Sequence, residues 1–400
     1  MTAGATVLVA GSTDVAGPSR EYEWLLAGAV VASALHRAPF ILPAGLLFAD
    51  LMIGVVLVLS VGDLVRRLSF DRHYRTVVIG LWLMVLGYML GMSFGGVSVT
   101  SLSILAREAL PPVVFLGVVA RLTNRRTLSS IPATAMVLMA VVVSALLIAD
   151  SGADIRGSAT FRNPNYAGHY LAVALVCLLI VAWRPAIRVA VAIVLALGIL
   201  ATGSFGAIAA VLAAVAYRLV CVGRSRGVHE QALLRLVAVS ALVGVGWFGV
   251  VGISDSTFNA GSGLDSTRLD RSSSTRFDLW QRTIDEWSKR PVGIGFARSA
   301  NGQPIEVVLG FSEPHSNFLS ALLNGGVLSA IGLLVISIGV WRLLPPASWS
   351  RMLFVAFTVS GIFRQTWNFR HAWLALAIVA SVDLLRARRS SPPSVQVAAT

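Results

Sequence analysis

What most constrains this chain is a succession of apolar runs, each near the roughly 20 residues a helix needs to cross a hydrocarbon core. They fall at 24–37, 43–64, 76–95, 101–120, 131–149, 164–183, 187–202, 204–221, 232–252, 316–342, 349–363 and 368–385. A bilayer offers no water to free N–H and C=O groups, so runs of this kind must close their hydrogen bonds within a helix. About twelve runs therefore predict an all-α, polytopic transmembrane bundle. A soluble fold is excluded: with 56% of the residues hydrophobic and 13% charged, too little polar surface is left to cover a core. The seventh and eighth runs meet at Thr202-Gly203-Ser204, where one long helix with a glycine break is the alternative to two spans.

The formal charge of +13 reports topology and not a nucleic-acid partner, because arginines gather in the short connectors. Arg66, Arg67, Arg72, Arg75, then Arg121, Arg125, Arg126, then Arg184, Arg188, then Arg218, Arg224, Arg226, then Arg342 and Arg351 occupy alternate connectors, and the tail Arg386, Arg388, Arg389 joins them. The positive-inside rule makes that side cytoplasmic, puts both termini inside the cytoplasmic (inner) membrane, and leaves a long polar stretch, 254–315, outside. The expected organisation is a disordered lead over 1–23, one transmembrane domain over 24–385 that includes this loop with its short helices, and a cytoplasmic tail over 386–400. The lead has no basic start before an apolar core, so it does not read as a cleaved signal. Cys177 and Cys221 are too far from paired spacing for a disulfide framework or a metal knuckle.

The long polar loop is the place for chemistry. Within it Phe277, Trp280, Ile284 and Trp287 recur at helical spacing, an apolar stripe suited to a membrane surface or to the scaffold. Thr275 and Asp278 read as a capping box that starts this helix, and Pro291 stops it. The loop closes on Glu313-Pro314-His315-Ser316-Asn317 just before an apolar run. His315 would then sit at the outer end of a helix, where a neutral imidazole accepts a hydroxyl proton, or simply serves as a cap. Phe161-Arg162-Asn163-Pro164-Asn165 opens the sixth run: Asn163 suits an N-cap and Pro164 the first helical position. Free N–H groups at that helix start suit an anion, and a well-capped helix without a ligand is the plain alternative.

Outer arginines oppose the insertion bias. Arg162, Arg276, Arg282, Arg298, Arg364 and Arg370 fit a phosphate-bearing ligand at the outer leaflet or snorkelling to lipid headgroups. Arg107 and Glu108 lie inside the fourth run, close to Pro111 and Pro112, and form a candidate intramembrane ion pair, functional or structural. There is no Asp-x-Asp, no metal-spaced His/Cys cluster and no P-loop, so metal-dependent and ATP-driven readings lose support.

Taken in order, Phe161 to Asn165, Thr202-Gly203-Ser204-Phe205-Gly206-Ala207, Arg276-Phe277-Asp278-Leu279-Trp280 with Pro291-Val292-Gly293-Ile294-Gly295, and His315-Ser316 with Gly326 resemble the O-antigen ligase and polymerase superfamily. The resemblance implies an integral-membrane GT-C glycosyltransferase whose donor is a polyprenyl-pyrophosphate-linked glycan and whose acceptor is a hydroxyl of a glycan or glycolipid. It implies no metal and no other cofactor. His315 would be the base on the acceptor, and Arg276 would hold the donor pyrophosphate. Arg162, Asn163, Asn165, Ser204, Glu313, Asn317, Arg364 and Arg370 would bind substrate. The family has arginine in a Ser-Arg-Gly-Ala turn where this chain has Phe205, so one pyrophosphate contact passes to Arg162, Arg364 or Arg370. The end of the histidine motif, usually Gly, Thr or Tyr, is Ser329.

A pyrophosphate leaves without a general acid, so a base, in-line placement and cations suffice, with inversion at the anomeric carbon. Ligation and polymerisation use the same parts. A secondary transporter of an anionic solute, with Arg107 and Glu108 on its path, is the rival from another class, and a scaffold in envelope assembly is a third reading.

Overall fold

The computed structural model describes residues 20–35, 48–124, 130–150, 158–161, 163–223, 266–296 and 314–390. Among these residues all regular structure is helical. The helices are α1 (Arg20–Ala32), α2 (Phe48–Phe70), α3 (Arg72–Gly95), α4 (Val99–Thr123), α5 (Ile131–Asp150), α6 (Pro164–Cys177), α7 (Pro185–Thr202), α8 (Phe205–Gly223), α9 (Ser266–Lys289), α10 (Asn317–Leu343), α11 (Trp349–Phe363) and α12 (Arg370–Ser390). Eleven of the twelve apolar runs coincide with a helix. The ninth, 232–252, lies outside the described residues.

Six of these helices are long and apolar enough to cross a membrane: α2, α3, α4, α5, α7 and α10. Among the described residues these six, and not all twelve runs, meet the length and hydropathy of a full span. α6 ends at Cys177, six residues short of its run, and 14 residues rise only about 21 Å. α12 falls out for a different reason, since Arg370, Asp383 and Arg386 share its length. α7 and α8 are two helices, because Gly203 adopts a left-handed conformation (φ 54°) that ends α7, with its N–H on the Leu200 carbonyl.

The α3–α10 seam is built from small residues, which let two backbones approach closely in a medium where burial alone gives little drive. A Cβ on Gly80 would lie 2.7 Å from the Ile336 nitrogen, and one on Gly87 2.6 Å from that of Ser329. Ser329 is buried and donates to the Met84 carbonyl across the seam at 2.8 Å. Its place in the histidine motif is therefore that of a helix clamp.

Basic residues collect at one end of the bundle. Arg66 and Arg121 both pair with Asp63, at 3.2 and 3.0 Å. Arg67 donates to the Asn124 side chain, and Arg388 to the Thr123 carbonyl at 2.7 Å. Asp383 of α12 accepts from the Ser350 N–H, which ties the start of α11 to the same end.

α9 begins at Ser266, so the capping box read at Thr275 lies in mid-helix. The Ser/Thr-rich stretch before it continues the helix instead of capping it, a case of context overriding a local preference. Pro291 does stop it: α9 ends at Lys289, which pairs with Glu286 at 2.8 Å. The face that packs inward carries Leu279, Thr283 and Glu286, with Leu279 clustered against Leu323 of α10 and Ile294. Phe277 and Ile284 of the anticipated stripe point away from the bundle, 56% and 42% exposed, which suits a membrane surface, while Trp287 packs on the Leu279 cluster.

Candidate functional site

The opposite end of the bundle gathers most of the motifs. α6 opens as expected, with the Asn163 side chain accepting the Asn165 N–H at 2.8 Å ahead of Pro164. Gly168, one turn in, lies against the turn between α7 and α8: a Cβ there would sit 2.8 Å from both the Ser204 Cβ and the Thr202 Oγ1. Ser204 is buried, and its N–H donates to Thr202 Oγ1 at 3.2 Å. Phe205, where the family carries arginine, meets the Phe363 ring edge-to-face at 5.6 Å.

The loop between α11 and α12 ties the site together. Arg364 lies with its guanidinium carbon 4.5 Å from the Tyr166 ring centroid, a cation–π contact. Its Nε is buried without a hydrogen-bond partner among the described residues. Asn317 holds this loop to α10: its side-chain oxygen accepts the Thr366 and Trp367 N–H groups at 2.7 and 2.9 Å, and its amide donates to Thr366 Oγ1 at 3.1 Å. Asn317 is thus a brace between two segments, a role its motif position did not reveal.

His315 stands two residues before that brace. It is half-buried, with Nδ1 inside the protein, and its backbone is left-handed at φ 52°. Non-glycine residues in that region are uncommon, although histidine is enriched there. Ser316 then returns to extended geometry as the N-cap of α10. The Pro291–Gly295 segment reaches the same helix lower down: Ile294 and Gly295 donate to the Leu323 and Asn324 carbonyls at 3.0 Å each.

Glu108 reaches this loop instead of being confined to a pair with its neighbour. Its carboxylate accepts from Gln365 at 2.9 Å and its backbone carbonyl from the Trp367 indole at 3.1 Å. The second contact has a cause in the sequence. Pro112 lacks the N–H that would bond the carbonyl four residues earlier, and the Trp367 indole supplies a donor in its place. Arg370 forms an ion pair with Asp50 at the start of α2.

Arg162 and Glu313 lie outside the described residues, and Arg276 falls in α9 with its side chain undescribed. The structure brings Asn163, Asn165, Ser204, His315, Asn317, Arg364 and Arg370 to this end. Sequence reading missed the buried pair His169 Nδ1 and His371 Nε2, 3.0 Å apart. His169 falls one helical turn after Tyr166, the only local signal; its partner is 202 residues away. It also passed over Gly91-Met92-Ser93-Phe94-Gly95, which has the spacing of a serine-nucleophile elbow. That string ends α3, and Ser93 Oγ donates to the Leu90 carbonyl at 2.6 Å, so the strand–turn–helix context of an elbow is missing. Among the described residues no group of three or more His, Cys, Asp or Glu side chains is placed to hold a metal ion.

Residues 189–337 match the family described as O-antigen ligase. The match covers α8, α9, most of α7 and α10, and the motifs at 202–207, 276–295 and 315, but neither the 161–165 motif nor the α11–α12 loop. No curated protein matches the chain. The match supports the ligase and polymerase resemblance carried by the motifs, and with it a membrane-embedded, glycosyl-transferring function at that coarse level.

Proposed function

We propose, from the O-antigen ligase match of residues 189–337, that this chain transfers a polyprenyl-pyrophosphate-linked glycan to an acceptor hydroxyl at the outer face of the cytoplasmic membrane. The observation that carries the reading is the convergence at one bundle end of the α6 start, the α7–α8 turn, the His315–Asn317 entry and the arginine-bearing α11–α12 loop. His315 is the base. A neutral imidazole at this position accepts the acceptor proton as the new bond forms. The oxygen so activated attacks the anomeric carbon opposite the pyrophosphate, the carbon–oxygen bond to the leaving group breaks, and the configuration inverts. Arginines hold the pyrophosphate and stabilise the charge it gains, so no acid is needed on that side. Arg276 keeps its assignment from the family motif.

The missing arginine at 205 has a neighbour that can replace it. Phe205 packs on Phe363, and the next residue is Arg364, whose Nε is buried and whose guanidinium carbon lies over the Tyr166 ring. Arg364→Ala is expected to slow transfer by about 10- to 100-fold, the worth of a charge-assisted hydrogen bond. Phe205→Arg in that background is expected to restore part of the loss, because it returns a guanidinium to the same neighbourhood. Rates in isolated membranes decide this, and equal rates for the single and double variants would remove Arg364 from the donor site.

The test of the function is the pool of lipid-linked glycan in a deletion strain, compared with the same strain carrying the wild-type chain. Accumulated finished chains make the protein a ligase, and accumulated single repeat units make it a polymerase. A pool unchanged by the deletion contradicts the transferase reading and favours transport.

A further inference from the structure

α6 stops at Cys177, and residues 178–184 run on as a turn and a link to α7 instead of a further helical turn. The space so left, between the end of α6, the first turns of α7, the middle of α8 and the start of α11, is a cavity of about 400 Å³. Its lining is apolar apart from one arginine, and three alanines, Ala172, Ala192 and Ala214, make the room. Ala172, Ala214 and Met352 at the back are buried, whereas Val189 and Val215 are exposed. The cavity therefore opens sideways, to where lipid would be. It lies in the half of the bundle away from the α6 start and the α7–α8 turn.

The arginine in that lining is Arg188, half-buried, and Arg184 precedes it by one turn. Arg218, one turn past Val215, and Arg351, beside Met352 in the chain, belong to the same end. Arg218 donates to the Ala347 carbonyl at 2.8 Å, with its guanidinium carbon 4.1 Å from the Trp349 ring centroid. Arg351 donates to the Leu344 carbonyl at 3.0 Å and lies over the Trp341 ring. Neutral partners of this kind fix the two side chains and leave their charge in place. Among the described residues no carboxylate pairs with Arg184, Arg188, Arg218 or Arg351. Asp383, at the same end, is taken up by the Ser350 N–H. An apolar recess under a surplus of guanidinium suits an amphiphile with an anionic head, as basic pockets between helices do at the cytoplasmic face. A peptide does not suit it, because the walls offer nothing to its backbone N–H and C=O groups.

We propose that this recess binds an anionic phospholipid of the adjacent leaflet, with one acyl chain against Ala172, Ala192 and Ala214 and the phosphate at Arg184 and Arg188. The lipid stands in for the turns that α6 lacks and props that helix, whose other end carries Asn165 and Tyr166. The site stands whether or not the chain transfers glycans, because none of its residues belongs to the reaction end. Ala192 is half-buried, so a larger side chain there fills the recess without entering the packed core.

The experiment uses the full-length protein, purified in detergent, and counts by native mass spectrometry the lipids it retains from an equimolar mixture of phosphatidylglycerol and phosphatidylethanolamine. The wild type is expected to keep one phosphatidylglycerol per chain under conditions that strip phosphatidylethanolamine. Arg184→Gln combined with Arg188→Gln should lower that retention by about tenfold or more. Ala192→Phe, and to a smaller degree Ala192→Leu, should lower it with every charge left in place. Arg72→Gln combined with Arg75→Gln removes two exposed arginines of α3, outside the recess, and should retain lipid as the wild type does. Equal retention of the two lipids by the wild type, undiminished retention by the Arg184/Arg188 variant or by both Ala192 variants, or an equal loss in the α3 control overturns the proposal.

Discussion

Replacing His315 with asparagine is expected to lower glycan transfer by about 10²- to 10⁴-fold, the usual worth of a positioned general base. Asparagine is the informative substitution because residue 315 has φ 52°. A left-handed backbone costs most residues about 1 kcal/mol, and asparagine is one of the few that tolerate it. His315→Asn therefore keeps the turn into α10 and loses only the titratable nitrogen. His315→Ala mixes the two effects: it removes the base and also strains the N-terminus that Asn317 anchors to the α11–α12 loop. Loss of transfer in both variants at normal protein levels supports the base role. Near-normal transfer by His315→Asn would leave His315 as a structural turn residue.

The largest effect on folding is expected at Gly326. It lies inside α10 with φ 66° and ψ −165°, a region essentially reserved for glycine, and it breaks the helix there. A Cβ at this position would run into the Pro291 carbonyl oxygen and the Val292 carbonyl carbon, both backbone atoms. The kink is thus what admits the Pro291–Gly295 segment against α10. Conformational strain of about 1–3 kcal/mol and overpacking of similar size place the cost of Gly326→Ala at about 2–6 kcal/mol. That is a large share of what holds a typical domain folded. Gly54→Ala serves as the control, since a Cβ on Gly54 of α2 meets nothing within 4 Å. Thermal denaturation in detergent, followed by loss of the monodisperse peak, is expected to show a clear fall for Gly326→Ala and none for Gly54→Ala. Equal behaviour of the two would mean that the kink is not needed for stability.

The helices were legible because the bilayer leaves apolar runs one way to satisfy their backbone, and eleven runs lie where helices do. Their lengths were less legible. Nothing apolar distinguishes residues 178–183 from the helix before them, yet α6 stops at Cys177. The start of α9 was misread because Ser and Thr before Arg276 look like a cap, and local sequence does not report that the helix continues through them. Local features within motifs were legible, as with the Asn163 cap on the Asn165 N–H. Those assembled across the fold were not: His169 meets His371, Glu108 meets Gln365, and Asp50 meets Arg370 over separations with no local pattern. Glu108 shows why. Its adjacency to Arg107 was visible in the sequence, but its bonds to Gln365 and the Trp367 indole, 257 and 259 residues away, were not.

In the function proposed for it, the bundle end containing His315 and Arg364 transfers a glycan from a polyprenyl pyrophosphate carrier without a metal. The most direct measurement is the release of polyprenyl pyrophosphate from lipid-linked glycan by membranes containing the wild-type chain or His315→Asn, in the presence of EDTA. Release by the wild type, and only background release by the variant, is the result this account predicts. No release by the wild type, or equal release by both, would contradict it.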